Sequence, residues 1–198
     1  MKVMQKNSRA LKLFFVLALL GMMFPAVVMG LVYKGVDFPD EVVIAGETCK
    51  LMGVETYKAF KFITVEYAGF YLSEPTQNAQ AMIKSEQIKR FRAHLVYEMK
   101  AKDFRKWYKD EFDKVIDYES NPELKKKVDQ YLGCFTEDFK KHEEFRITYV
   151  PGEGTEIMVK GEQKAIIPGR DFMLSLYTVW FGPKSSCKKF TNRLLGIR

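Results

Sequence analysis

The fold is decided by residues 146–182, which read RITYVPGEGTEIMVKGEQKAIIPGRDFMLSLYTVWFG. Apolar and polar residues alternate in Arg146–Val150 and again in Thr155–Lys160. This period of two predicts strands that are buried on one face. Turn residues at Pro151–Gly154 and Gly161–Glu162 separate these strands from each other and from a third short strand, Lys164–Ile167. The sequence therefore predicts an antiparallel meander of three strands.

A strongly apolar segment follows the meander. It holds seven large apolar residues: Phe172, Leu174, Leu176, Tyr177, Val179, Trp180 and Phe181. Such a segment must be buried, and we predict a helix packed on the sheet. The helix should end at Gly182, because glycine often terminates helices and Pro183 cannot continue one.

The region before the meander reads mainly as strands. Val36–Ile44 is predicted to be a short first strand or hairpin arm, Ala45–Glu47 a turn, and Thr48–Gly53 the start of another strand. Tyr57–Leu72 is apolar at both odd and even positions. That pattern is typical of a strand in the middle of a sheet with both faces covered.

The other segments alternate between strand and helix. We predict a helix capped by Thr76 and ending near Ser85, a strand at Ile88–Tyr97, helices at Ala101–Tyr118 and Leu124–Phe139, and a short helix at Cys187–Leu195, capped by Ser185 or Ser186 and ended by Gly196. Strands, then helices, then strands and a helix make an α+β domain.

Residues 1–30 have the composition of a secretory signal peptide. Lys2, Lys6 and Arg9 precede the apolar run Leu13–Met29, and the small residue Gly30 follows it. We expect cleavage after Gly30 and export to the periplasm or the medium, with residues 31–198 as the mature domain. An uncleaved membrane anchor formed by residues 13–29 is the alternative.

Cleavage would also remove most of the net charge. The chain of 198 residues has a formal charge of +7, and residues 1–30 carry four of its 32 basic residues and none of its acidic ones, so the mature domain would carry +3. Basic and acidic residues are interspersed there, as on an ordinary solvated surface. We therefore expect no nucleic-acid partner. We also expect no stable membrane span after cleavage, and a monomer.

The reactive residue types form no recognised motif. Cys49, Cys134 and Cys187 lack a CxxC spacing, and the sequence leaves open whether two of them form a disulfide or each is a buried thiol. His94 and His142 are far apart in sequence, so we predict no metal site and no cofactor. Glu66 stands out, because an ionised carboxylate on an apolar strand must be paired or face a wet cleft.

Several short motifs together carry a family resemblance. They are Val36–Pro39, Leu51–Gly53, Ala68–Leu72, Tyr149–Thr155, Gly169–Phe172, Trp180–Gly182 and Leu194–Gly196. Their order and spacing resemble the chalcone isomerase-like family, in its secreted bacterial branch, over nearly all of the mature domain. The resemblance implies an open-faced β-sandwich: a large antiparallel sheet covered on one face by helices, with a lipophilic cleft between them.

The resemblance does not extend to the family's catalytic site. The plant enzymes close a flavanone ring with an arginine after a glycine-rich turn, a threonine on a strand, and a tyrosine and an asparagine on a helix. Here Gly53–Lys58 has no arginine, and Glu66 occupies the threonine position. The helix positions are matched by Phe104 and Glu111, with Tyr108 nearby. The resemblance therefore implies an enzyme site that is largely absent.

Three hypotheses follow. In the first, the protein binds a fatty acid or another lipophilic molecule without catalysis, through seven candidate residues: Lys58, Phe62, Glu66, Phe70, Phe104, Tyr108 and Glu111. Lys58 would hold an acidic head group, unless it is an ordinary solvated lysine, and Phe60 would also face the interior. In the second, the protein is an isomerase or intramolecular lyase of altered substrate range. In the third, it is a structural or interaction protein of the cell envelope.

Overall fold

The computed structural model describes residues 30–59 and 62–197. The strands are β1 (Gly30–Tyr33), β2 (Val36–Pro39), β3 (Glu41–Ile44), β4 (Glu47–Ala59), β5 (Ile63–Leu72), β6 (Lys89–Leu95), β7 (Glu144–Val150), β8 (Gly154–Val159) and β9 (Glu162–Ile167). The helices are α1 (Ala79–Lys84), α2 (Ala101–Val115), α3 (Pro122–Gly133), α4 (Arg170–Phe181) and α5 (Lys188–Leu194).

A seven-stranded antiparallel sheet forms the frame of the domain. Its strands follow the chain order from β3 to β9, so each strand pairs with the next one in sequence. The predicted meander is confirmed as β7, β8 and β9, with Ile147 opposite Ile157 and Ile157 opposite Ala165. Helices α1, α2 and α3 are inserted between its strands, and the α+β fold class is confirmed.

The apolar segment after the meander is the helix that the sequence predicts. In α4 the side chains of Phe172, Leu176, Tyr177 and Trp180 are buried, and the helix ends at Gly182. The Trp180 ring packs 4.9 Å from the ring of Phe91 on β6, measured between centroids. This contact attaches α4 to the middle of the sheet.

A small hairpin covers part of the other face. Strands β1 and β2 pair with each other and form a sheet of their own. Phe38 on β2 is fully buried. A Cβ atom added at Gly69 on β5 would lie only 2.6 Å from Cδ1 of Phe38, so only glycine leaves room for this ring. Strand β5 is thus covered on both faces, as its apolar pattern predicts.

The long strand predicted at Tyr57–Leu72 is wrong in one respect. Residues up to Ala59 belong to β4, and β5 begins at Ile63. No glycine or proline marks the reversal, and apolar residues continue on both sides of it, so the hydrophobic pattern could not reveal the turn. Phe62 follows this turn and is 77% exposed. Phe60 lies outside the described residues.

Several helix ends also differ from the prediction. Helix α2 ends at Val115 and not at Tyr118. Asn78, not Thr76, caps α1 by accepting a hydrogen bond from the Ala81 N–H. Helix α3 ends at Gly133, and the apolar pattern continues to Phe139 because Phe139 pairs with Met99 in an isolated bridge and is buried. Cys187 takes the N-cap position of α5, and Ser185 accepts a hydrogen bond from the Cys187 N–H.

Lys89 is an amine buried in the core, between the sheet and the helices. It is fully buried, and its Nζ donates hydrogen bonds to the carbonyl oxygens of Ile83 and Ser85, at 3.1 and 2.9 Å. Burial lowers the pKa of this amine to about 7. The two carbonyls belong to the end of α1, so Lys89 attaches that helix to β6.

The predictions for residues 1–29, the signal peptide and the alternative anchor, lie outside the described residues. Within the part of the chain that is described, none of the helices has both the length and the apolar character needed to span a bilayer.

Candidate functional site

A cavity of about 740 Å³ lies between the sheet and the helices. Its walls come from β4, β5 and β6 on the sheet side and from α2, α4 and α5 on the helix side. The lining residues are Tyr57, Ala59, Ile63, Val65, Glu66, Phe91, Tyr97, Glu98, Met99, Lys100, Asp103, Phe104, Trp107, Tyr108, Lys141, Trp180, Phe181, Cys187, Phe190 and Thr191.

Aromatic side chains make up much of the wall. Tyr57 packs edge to face against Trp107 and Phe190, with ring centroids 6.0 and 5.4 Å apart. Trp107 in turn packs against Tyr108 at 4.8 Å. Edge-to-face pairs favour one mutual orientation of the rings, so these contacts hold the wall in a defined shape. The result is an apolar surface suited to a lipophilic ligand.

One end of the cavity is open and polar. The segment between β6 and α2 contributes Tyr97, which is 48% exposed, together with Glu98 and Lys100, which are also exposed. Lys100 Nζ lies 2.8 Å from the carboxylate of Asp138, an ion pair that remains largely exposed. Because charges of both signs surround this mouth, it would not select strongly for an anion or a cation.

Glu66 is the buried carboxyl on the wall. It is only 7% exposed, and burial raises its pKa to about 8. Its strand neighbours are Tyr57 on β4 and Leu95 on β6. At neutral pH this group is therefore mainly a neutral acid, which can donate a hydrogen bond as well as accept one.

Other titratable groups near the cavity also stay neutral. Burial raises the pKa of Tyr57 and of Tyr108 above the ordinary range. Burial, and then the nearby carboxyls of Glu111 and Glu66, raise the pKa of the Cys187 thiol to about 12. A thiol with so high a pKa is a poor nucleophile at neutral pH, since the thiolate is the reactive form.

The metal-ligating residue types of the described residues are not clustered, and the cysteines are not paired. No group of three histidine, cysteine or acidic side chains among residues 30–59 and 62–197 could hold a metal ion. Cys49, Cys134 and Cys187 are all buried free thiols, which decides between the two alternatives that the sequence leaves open.

The structure brings three of the seven candidate residues to the cavity wall: Glu66, Phe104 and Tyr108. Glu111 lies behind the wall, where its carboxylate accepts a hydrogen bond of 2.6 Å from the Ser186 hydroxyl.

The other three candidates lie elsewhere. Phe70 is fully buried against Phe181 in the core, with ring centroids 4.9 Å apart. Lys58 and Phe62 are exposed and are not among the lining residues. The prediction that Lys58 holds an acidic head group remains untested, and its exposed position favours the alternative of a solvated surface lysine.

The sequence pattern did not predict that the segment after α4 forms part of the cavity wall. Cys187, Phe190 and Thr191 line the cavity. The Thr191 hydroxyl donates a hydrogen bond of 3.0 Å to the carbonyl oxygen of Trp180, which joins α5 to α4. A signal was present in Gly53, because a Cβ atom there would lie 2.6 Å from the Arg193 carbonyl oxygen. A glycine in a strand can mark such a close approach of another backbone.

The sequence and the fold are similar to those of known proteins. A model of the family described as "Chalcone isomerase-like" matches residues 31–196. The crystal structure of a fatty-acid binding protein from Arabidopsis thaliana has a similar fold, with a TM-score of 0.64 and 11% sequence identity, over 85% of this chain and 98% of that one. No curated protein matches the sequence.

Proposed function

Because the chain belongs to the chalcone isomerase-like family, we propose that it is a non-catalytic binding protein whose cavity takes up a lipophilic small molecule such as a fatty acid. The observation that carries this proposal is the apolar cavity of about 740 Å³ between sheet and helices. Small-molecule sites usually have volumes of roughly 300–1,000 Å³ and walls that are mostly apolar with a few polar groups. The shared fold with a plant fatty-acid binding protein supports this choice of ligand class.

The polar groups of the wall favour binding over catalysis. The plant enzymes of this family place an arginine fork near their oxyanion, and a lysine does not replace such a fork. Here Lys58 is exposed outside the cavity, and the family resemblance matches Glu66 to the threonine of those enzymes. Since burial keeps Tyr57, Tyr108 and Cys187 neutral, none of these three described groups is an activated nucleophile.

Native mass spectrometry tests this proposal. Protein purified from its source under mild conditions should carry a mass adduct of a lipid, and the adduct should disappear after extraction with organic solvent and return when palmitic acid is added. Folded protein without an adduct, and without uptake of palmitic acid, would contradict the proposal. That result would favour the third hypothesis, a structural or interaction protein of the cell envelope.

We also propose that the protein acts outside the cytoplasm, in the periplasm or the medium. The support is the sequence of residues 1–30, with its basic start, its apolar run and the small residue Gly30. A lipid carrier there would shield an apolar molecule from water between membranes.

A further inference from the structure

Glu66 carries a buried carboxyl at the cavity wall. Its side chain lies on the helix-facing side of β5, together with Ala68 and Phe70, and it lines the cavity. Burial is the cause of its raised pKa, with no hydrogen bond or charge from the described residues beside it. Its oxygens are not among the fully enclosed unpaired atoms, so the carboxyl remains accessible from the cavity. A polar group that is shielded from bulk water and makes no hydrogen bond within the protein often has a function or binds a molecule that satisfies it.

Among residues 30–59 and 62–197, no cation perturbs the titration of Glu66, whose raised pKa has burial as its cause. Its titratable neighbours are Tyr57 on β4, Tyr108 on α2, Tyr131 on α3 and the Cys187 thiol before α5. Glu111 on α2 is occupied by Ser186. The residues that β6 and α4 contribute to the cavity wall, Phe91, Trp180 and Phe181, are apolar or aromatic.

Apart from Glu66, the acidic and basic residues in the described lining of the cavity are exposed to solvent. They are Glu98, Lys100, Asp103 and Lys141. An ionised Glu66 would therefore be a single buried negative charge without compensation, which is costly. The neutral acid is the stable form, and burial holds the pKa at about 8.

We propose that Glu66, as a neutral carboxylic acid, binds the head group of a fatty acyl ligand that enters the cavity head first, by donating a hydrogen bond to the ligand's carbonyl or carboxylate oxygen. This inference rests on the proposed lipid-binding function. The acyl chain then lies along the aromatic wall toward the mouth. In this orientation the head group lies inside the cavity. If Lys58 or another surface cation held the head group, it would lie at the surface and the acyl chain would point inward.

Binding should depend on pH in a defined way. When Glu66 loses its proton it loses the donor, and a ligand carboxylate would face a second negative charge. Affinity should thus fall as the pH rises through about 8. Glutamine keeps an N–H donor at every pH, so the variant Glu66→Gln should bind independently of this titration.

The experiment is a calorimetric titration of the delipidated full chain with two probes, palmitic acid and methyl palmitate, from about pH 6 to about pH 10. At each pH, the affinity of wild type for a probe is divided by the affinity of Glu66→Gln for the same probe. This ratio removes the effect of the probe's own change in protonation. For palmitic acid this ratio should be near one at low pH and fall on the order of tenfold, the equivalent of one pKa unit. For methyl palmitate it should fall less. Glu153→Gln, an exposed change in the β7–β8 turn, should keep the wild-type profile.

Each possible result either supports or overturns the proposed role of Glu66. Equal pH profiles for wild type and Glu66→Gln, with palmitic acid still bound, would overturn the role of Glu66 and leave the proposed function standing. An ester affinity that does not change with pH would overturn the hydrogen bond. Folded wild type that binds neither probe would overturn the function and the inference together. If Glu66→Gln does not fold, Glu66→Met replaces it and should bind palmitic acid weakly at every pH; wild-type affinity near pH 6 would contradict the inference.

Discussion

The buried carboxyl of Glu66 makes the stability of the free protein depend on pH. Its pKa rises from 4.5 in an exposed chain to about 8 in the fold. Between these values the unfolded chain binds fewer protons than the folded one, so the free energy of unfolding falls as the pH rises. The loss is at most about 1.4 kcal/mol per pH unit and ends above the folded pKa.

Urea denaturation of wild type and Glu66→Gln measures this effect directly. The difference in the free energy of unfolding, wild type minus variant, should decrease from about pH 5 to about pH 8 and then become constant. A difference that is the same at all these values would show that the carboxyl titrates normally. In that case Glu66 would not be a neutral acid in the cavity.

The same residue predicts a lack of chalcone isomerase activity. The family resemblance matches Glu66 to a threonine of the plant enzymes, and Gly53–Lys58 contains no arginine. Each lost donor to a developing oxyanion typically costs roughly 100- to 1,000-fold in rate. We expect no ring closure of a chalcone above the uncatalysed rate in an absorbance assay. A rate equal to that of a plant enzyme would contradict this expectation.

At the scale of single residues, the sequence predicts which side chain is chemically unusual better than it predicts where a side chain lies in the fold. Glu66 was conspicuous because a carboxylate on an apolar strand needs an explanation, and the structure places it on the cavity wall. Phe70 was equally apolar, yet it packs in the core beside Phe181. Apolar residues that line a cavity and those that fill a core have the same pattern, so only the packing distinguishes them.

Among the elements, the contact between the β1–β2 hairpin and β5 gives a sharp test. A Cβ atom at Gly69 would lie 2.6 Å from the ring of Phe38. We expect Gly69→Ala to lower the free energy of unfolding by about 1–3 kcal/mol, the usual cost of overpacking. In a Phe38→Ala background the ring is gone, and the same change should cost much less.

Chemical denaturation of the four proteins in this double-mutant cycle measures the coupling. A coupling energy near zero would mean that the hairpin does not pack on Gly69. Gly46→Ala is no suitable control, since Gly46 has a φ of +83° and is strained for any other residue.

Elements marked by turn residues could be predicted, and those without such markers could not. Pro151–Gly154 separates β7 from β8, and the meander was predicted correctly. No such marker separates β4 from β5, so the sequence pattern predicts one continuous strand there. The end of α3 was misplaced for a related reason, because Phe135 and Phe139 are buried in an irregular segment that continues the apolar pattern.

For the whole molecule, export is a prediction from residues 1–30. N-terminal sequencing of the protein from its native source should begin at Leu31 or a close neighbour. The experiment should compare the soluble and membrane fractions of the same preparation. Intact protein that begins at Met1 in the membrane fraction would favour an anchor formed by residues 13–29.

The central claim is that the cavity between sheet and helices binds an acyl chain. The most direct measurement is a calorimetric titration of delipidated protein with palmitic acid at about pH 6, where Glu66 is protonated. Wild type should bind one equivalent. Val65→Trp, which places a large ring at the cavity wall, should bind at least tenfold more weakly, about 1.4 kcal/mol. Val43→Trp, the same change at an exposed position on β3, should bind like wild type. A flat titration of folded wild type, or equal affinity in both variants, would contradict the account.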